Sequence, residues 1–272
     1  MQRIALLHTN FCSYEKVVVE RLEQEQIGLI YLNSPNDLNS LSEPMKRDLA
    51  LAIQELDQDS NIKVLILLSK LEKLFCAGAN IKDISKISLE SQLKGDIFQN
   101  IFQVLESIRK PLIVGINGVA LGGGLELALN GDIIVATEEC KLGLPELKLG
   151  FIPGLGGTQR LTKLIGKTNA MKYILTSDSI SAQEAYQRGI VNSVVKKEQL
   201  REECINIAKK ISEKSLYTLI AAKAAIKNAE EMPISQANKV ERQIFNSLLN
   251  TKAAKEGVTA FVEKRKPNFR NI

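Results

Sequence analysis

Three consecutive glycines followed by an acid form the most chemically informative stretch of the chain: Ile116-Asn117-Gly118-Val119-Ala120-Leu121-Gly122-Gly123-Gly124-Leu125-Glu126. The run reads as a strand end, a glycine turn and the start of a helix. Glycines let the main chain come close to a ligand, and the N–H groups that open a helix have no partners within it. Such donors can be aimed at a developing anion, and removing one preorganised donor typically costs about 3 kcal/mol of transition-state stabilisation. One glycine would be explained by a tight strand-to-helix turn, whereas three followed by an acid point to a ligand. A second stretch, Phe75-Cys76-Ala77-Gly78-Ala79-Asn80-Ile81-Lys82, follows the apolar segment Val64 to Leu68. Its small residues clear space for a second main-chain donor beside the first, since ligands gather at strand carboxyl ends in α/β sheets. A third, Leu144 to Gly157, sets Glu146 among prolines and glycines that stiffen a loop rather than continue an element.

Other chemistries are excluded by what the chain lacks. His8, near the start, is the only histidine, so Ser-His-Asp, Cys-His and histidine-metal sites are unavailable to the folded body. Cys12, Cys76, Cys140 and Cys204 stand far apart, with no zinc-chelating or disulfide-framework spacing, which suits a reducing compartment. The glycines at 118, 122, 123 and 124 do not match the dinucleotide fingerprint. Gly166-Lys167-Thr168 resembles the end of a phosphate loop, but Leu161 occupies the place of its first glycine. A net charge of +5 on 272 residues, spread along the chain, indicates no dedicated nucleic-acid surface, and Lys196-Lys197 and Lys264-Arg265-Lys266 read as solvated helix faces. No apolar run approaches the ~20 residues that span a bilayer, so no membrane insertion is expected.

The elements that must position these residues alternate. Val17 to Leu22 and Gly28 to Leu32 read as an opening hairpin, and Leu41, Met45, Leu49, Ala52, Ile53 and Leu56 recur at helical spacing behind a capping Ser42. Val64 to Leu68 is an apolar, β-branched strand of the kind buried on both faces in a parallel sheet. A helix through Leu89 to Ile108, a strand Leu112 to Ile116, a helix from Leu125 and a strand Asp132 to Ala136 repeat the unit, so a wound α/β core is expected. Ile190 to Val195 is β-like, and Gln199 to Lys266 reads as three or four amphipathic helices interrupted at Pro233. The expected organisation is an extension or transit segment over 1–15, an α/β core over 16–200 and a C-terminal helical region over 201–272. Met1 to Tyr14 carries Arg3 and Ser13 and no acid, a composition compatible with a mitochondrial presequence.

ALGGGLE (120–126), FCAGANIK (75–82), PELKLGFIPGLGGTQRL (145–161) and AFVEKRK (260–266) together resemble the enoyl-CoA hydratase/isomerase (crotonase) family, in the family's order and over nearly the whole chain. The resemblance implies a spiral of ββα units with a C-terminal trimerisation region, and a homo-oligomer, trimer or hexamer. It implies an acyl-CoA thioester as substrate, coenzyme A being part of that substrate, with no separate cofactor, metal or nucleic acid. It puts the oxyanion hole on the N–H groups of Ala79 and Gly123, the catalytic carboxylates on Glu126 and Glu146, and a water-positioning N–H on Gly154. Asn80, Ile81 and Lys82 would line the coenzyme region, while Phe261 and Lys264 would reach the coenzyme of a neighbouring subunit. The implied reaction is hydration of 2-enoyl-CoA in a mitochondrial matrix, or in the cytoplasm of a bacterium. Enoyl-CoA isomerisation, hydration of a branched substrate such as 3-methylglutaconyl-CoA, and a non-catalytic structural or RNA-associated role are the alternatives. Three positions depart from the family pattern: Asn80 replaces an aspartate, Asn36 a basic residue, and Asn130-Gly131 a small residue and cysteine.

Overall fold

The computed structural model describes residues 14–88, 98–270 and 272. Of the expected segment at 1–15, all but the last two residues lie outside that description, as does the first part of the helix expected from Leu89.

Two sheets are wound together. The larger has the order β1-β2-β3-β5-β7-β10, with β1 (Val17–Leu22), β2 (Ile27–Leu32), β3 (Val64–Ser69), β5 (Leu112–Ile116), β7 (Ile133–Thr137) and β10 (Ser193–Val195). β1 and β2 form the expected antiparallel hairpin, Val17 opposite Leu32, and β2, β3, β5, β7 and β10 run parallel. The smaller sheet has the order β4-β6-β8-β9, with β4 (Leu74–Cys76), β6 (Val119–Leu121), β8 (Lys141–Gly143) and β9 (Ile180–Ser181). Each turn of the spiral therefore places one strand in the large sheet and the next in the small one: β3 then β4, β5 then β6, β7 then β8. The switch from β5 to β6 is made at Gly118, whose φ of +62° and close approach to the main chain of Lys73 leave no room for a Cβ.

Side-chain alternation gives the large sheet two buried faces. Leu65 and Leu67 of β3 pack with Met45, Leu49 and Ile53 of the helix Glu43–Gln58. Val64, Ile66 and Leu68 face the other way, onto Leu200, Cys204 and Ala208 of the helix Leu200–Ser212. This second helix is part of the core, so the expected boundary at 200/201 falls inside its first turn. Ser42 precedes the helix Glu43–Gln58 but makes no side-chain cap; its hydroxyl is buried without a partner among the described residues, and its carbonyl takes the Lys46 N–H.

After Ser212 the chain forms the helices Leu216–Glu231, Ile234–Leu248 and Lys252–Val262, broken at Pro233 as expected. They bury little: among their described residues only Ala237, Ala253 and Ala260 are buried, and Phe261 is 85% exposed. The tail returns to the core at Lys63, whose ammonium donates to the carbonyls of Ser212, Lys214 and Phe269. Among the described residues no helix is long and apolar enough to cross a membrane.

Candidate active site

Three successive turns of the spiral each deliver one component to a single cavity of about 220 Å³. The first comes from the loop after β4. Asn39, fully buried, holds it with its side chain: its amide donates to Phe75 O at 2.9 Å and to Ser69 Oγ at 2.9 Å, and its oxygen accepts the Ser34 N–H at 2.7 Å. Ala77 N–H donates to Leu38 O and Leu41 N–H to Gly78 O, so the loop is pinned on both sides of Gly78. Ala79 then faces the cavity, and its N–H has no acceptor among the described residues.

The second component is the helix Gly123–Ala128, which begins directly after β6. Its first N–H, on Gly123, likewise has no acceptor among the described residues, as expected for a helix start. A side chain on Gly123 would lie 3.3 Å from Ala79 N, and one on Gly78 3.3 Å from Gly123 N, so the two amides are neighbours. Gly124 makes this approach possible, because a Cβ there would stand 2.3 Å from Cys76 O. One turn into the helix sits Glu126, 2% exposed, with Oε1 accepting the N–H groups of Leu155 and Gly157 at 2.7 Å each. Burial raises the carboxyl above its usual range, and the N–H groups of Gly157, Leu155 and Gly154 favour the charged form.

The third component follows β8. Gly122 N–H donates to Gly143 O at 2.8 Å, which ties the glycine turn to the end of that strand. Three residues on, the 3-10 helix Glu146–Leu149 presents Glu146, 7% exposed, to the cavity. A side chain on Gly122, whose φ is +52°, would come within 2.9 Å of Glu146 Oε1. Glu146 Oε2 is buried with no hydrogen-bond partner among the described residues. Burial pushes this carboxyl up to about 7, opposed by its own main-chain N–H and reinforced by the charge of Glu126. Gly154 also lines the cavity.

Ala79, Gly123, Glu126, Glu146, Gly154 and Ile81 are thus brought together. Asn80 serves locally: its side chain caps the helix Ile81–Ile84 by accepting the Lys82 N–H at 3.0 Å. Lys82 is exposed outside the cavity lining, and Phe261 and Lys264 lie on the surface at the end of the last helix. Sequence reasoning missed the Leu155 and Gly157 donors, although the GLGG run at 154–157 was their signal. It also missed Asn39, for which no local pattern exists, and the apolar wall that includes Phe98, Phe151 and Leu155.

Two interwound sheets fed one strand per turn, with main-chain donors and acids at the turn ends, define a crotonase-type α/β spiral. The chain belongs to the enoyl-CoA hydratase/isomerase family, whose profile matches residues 22–271. It is 41% identical over 246 residues to a Dictyostelium discoideum protein named a probable mitochondrial enoyl-CoA hydratase, covering 90% of this chain and 88% of that one. It is 40% identical over 260 residues to a mitochondrial enoyl-CoA hydratase of Pongo abelii, covering 95% and 89%. The crystal structure of an enoyl-CoA hydratase from Bacillus anthracis superposes with a TM-score of 0.89 at 36% identity, covering 95% of this chain and 100% of the other.

Proposed function

We propose that the protein adds water across the 2,3 double bond of a 2-enoyl-CoA thioester to give the 3-hydroxyacyl-CoA. The observation that carries this reading is the convergence of two N–H groups without an acceptor among the described residues, on Ala79 and Gly123, with two buried acids in one cavity. The thioester oxygen accepts both N–H groups. As water attacks carbon 3, the π electrons move toward that oxygen, and donors placed there stabilise the transition state more than the substrate.

The two acids divide the proton work by environment. Glu126, whose Oε1 accepts two main-chain N–H groups that favour the charged form, removes a proton from water, which the Gly154 N–H helps to place. Glu146, pushed up to about 7 and lacking any donor on Oε2, is the protonated member and delivers its proton to carbon 2. The water oxygen bonds carbon 3 as its proton passes to Glu126, the resulting enolate collapses as carbon 2 takes the Glu146 proton, and transfer of the proton gained by Glu126 to Glu146 by way of solvent resets the pair. A single shuttling acid would suffice for isomerisation, so the retention of two supports hydration.

The coenzyme portion remains part of the substrate, and no separate cofactor enters the scheme. The C-terminal helices, with Val258 at 66% and Phe261 at 85% exposure, are proposed to pack against further copies in a trimer or hexamer, bringing Phe261 and Lys264 to a neighbour's coenzyme. The proposed compartment is the mitochondrial matrix, or the cytoplasm in a bacterium. Purified protein is expected to hydrate crotonyl-CoA, followed as loss of the conjugated thioester absorbance. No turnover at high enzyme concentration would overturn the reading.

A further inference from the structure

The peptide unit joining Gly78 to Ala79 has its plane set from behind. Leu41 N–H donates to Gly78 O at 2.8 Å, and because the unit is planar and trans, the Ala79 N–H points the opposite way, on the side of the cavity that Ala79 lines. Leu41 pairs with Ala79 as an isolated parallel bridge, and its Cδ1 would stand 3.1 Å from a Cβ on Gly123, so one residue braces both amides. The place of Leu41 is decided two residues earlier. Leu38 and Asn39 hold left-handed φ values of +52° and +51°, which non-glycine residues rarely adopt and which persist only where the surroundings over-determine them. Around Asn39 they do: its amide donates to Phe75 O and Ser69 Oγ, and its side-chain oxygen accepts the Ser34 N–H. Its main-chain carbonyl in turn accepts the Cys76 thiol at 3.0 Å, and burial pushes that thiol up to about 12, which keeps the donor protonated. Ser69 Oγ passes the restraint on by donating to Leu74 O at 2.7 Å, at the start of the strand that leads to Ala79.

We infer that Asn39 is a positioning residue for the paired donors: by fixing Leu41 against the Gly78 carbonyl it aims the Ala79 N–H, so its loss weakens the grip on the thioester oxygen in the transition state far more than it weakens binding of the acyl-CoA. This rests on the proposed hydratase reading, in which that oxygen accepts the Ala79 and Gly123 N–H groups. A hydrogen bond weakens steeply as its donor tilts away, and the tilt matters most where charge develops. Contacts to the remainder of the substrate do not pass through this peptide plane and contribute equally to ground and transition states.

Asn39→Asp tests this, because aspartate keeps the shape and tolerates left-handed φ while turning both amide donors into acceptors that face Phe75 O and Ser69 Oγ. Crotonyl-CoA hydration, calorimetric affinity for butyryl-CoA, and the infrared stretch of a 13C-labelled butyryl-CoA carbonyl are measured on the full-length protein. Donors on the carbonyl oxygen lower its stretching frequency, and that readout does not move with stability or with the fraction of active protein. In Asn39→Asp, kcat should fall at least ~10²-fold, butyryl-CoA affinity should stay within ~5-fold, and the downshift of the bound carbonyl should shrink by about half, as expected when one of two donors is misaimed. Should that variant fail to fold, Ser69→Ala, which removes one acceptor of the Asn39 amide, takes its place, with kcat at least ~5-fold lower and a smaller shift in the same direction. In whichever variant folds, an unchanged carbonyl frequency, a kcat within ~3-fold of wild type, or a loss of butyryl-CoA affinity as large as the loss in kcat would overturn the assignment. A wild type that fails to hydrate crotonyl-CoA while its carbonyl shift still depends on Asn39 would sink the hydration reading and leave the positioning role standing.

Discussion

Replacing Glu146 by glutamine should make the protein more stable and nearly inactive at once. Glu146 titrates near 7 in the folded chain against a usual carboxylate value of 4.5. Because the folded value is raised, the native state holds the proton more tightly than the unfolded chain. Stability is then lost as pH rises from about 4.5, and the full penalty is present above about 7. The gap between 4.5 and about 7, at ~1.4 kcal/mol per pH unit, corresponds to about 3 kcal/mol of destabilisation at pH 8. The group is 7% exposed, so solvent screening removes little of this. Glutamine has the shape of the protonated acid and no charge to bury, although its amide donors inherit an environment that offers Oε2 no partner. The expected gain for Glu146→Gln is therefore about 2–3 kcal/mol at pH 8 and near zero at about pH 4. Urea unfolding followed by circular dichroism, at fixed protomer concentration across that pH range, measures the difference. Crotonyl-CoA hydration should fall by at least ~10² in the same variant, because the proton donor is gone. A stability difference that does not grow with pH, or hydration near the wild-type rate, would refute the assignment of Glu146 as the protonated acid.

Further perturbations separate the parts of the site. Wild-type kcat should decline as pH rises through about 7, where Glu146 gives up its proton, and a profile flat to pH 9 would contradict this. Glu126→Gln should lower hydration at least ~10² while leaving butyryl-CoA affinity within a few-fold, measured by calorimetry. Gly124→Ala, whose Cβ would stand 2.3 Å from Cys76 O, must move the helix that carries Gly123; kcat/KM should fall ~10²-fold and stability by about 1–3 kcal/mol. Asn80→Asp should retain the cap of the helix Ile81–Ile84 and hydrate within ~3-fold of wild type, whereas Asn80→Ala should lose about 1 kcal/mol in thermal unfolding.

The larger sheet was legible because its strands are long and apolar enough to declare themselves: Val64 to Leu68 could be little else, and Leu112 to Ile116 only slightly less so. The smaller sheet was not. Its strands have two or three residues, Leu74–Cys76, Val119–Leu121, Lys141–Gly143 and Ile180–Ser181, too short for any period to show, and three of them border glycine turns that read as loop. The site was legible where chemistry demanded a residue type, as at Gly122 to Glu126. It was illegible where one side chain supports a distant main chain, since Asn39 bonds to Phe75 O across 36 residues and no local pattern encodes that. Ser42 shows the opposite error: a residue of the right type in the right place whose hydroxyl does not cap.

The delivery of one component per turn of the spiral has an evolutionary consequence. The amide on Ala79, the amide and acid of the Gly123–Ala128 helix, and Glu146 sit behind three different small-sheet strands, and each strand can keep its pairing while the residues beyond it change. A descendant of this chain could exchange the acid at position 146 for another group, and so another reaction, without disturbing the neighbouring Ala79 and Gly123 amides. Divergence on such a scaffold can proceed one winding at a time, with the paired amides inherited whole.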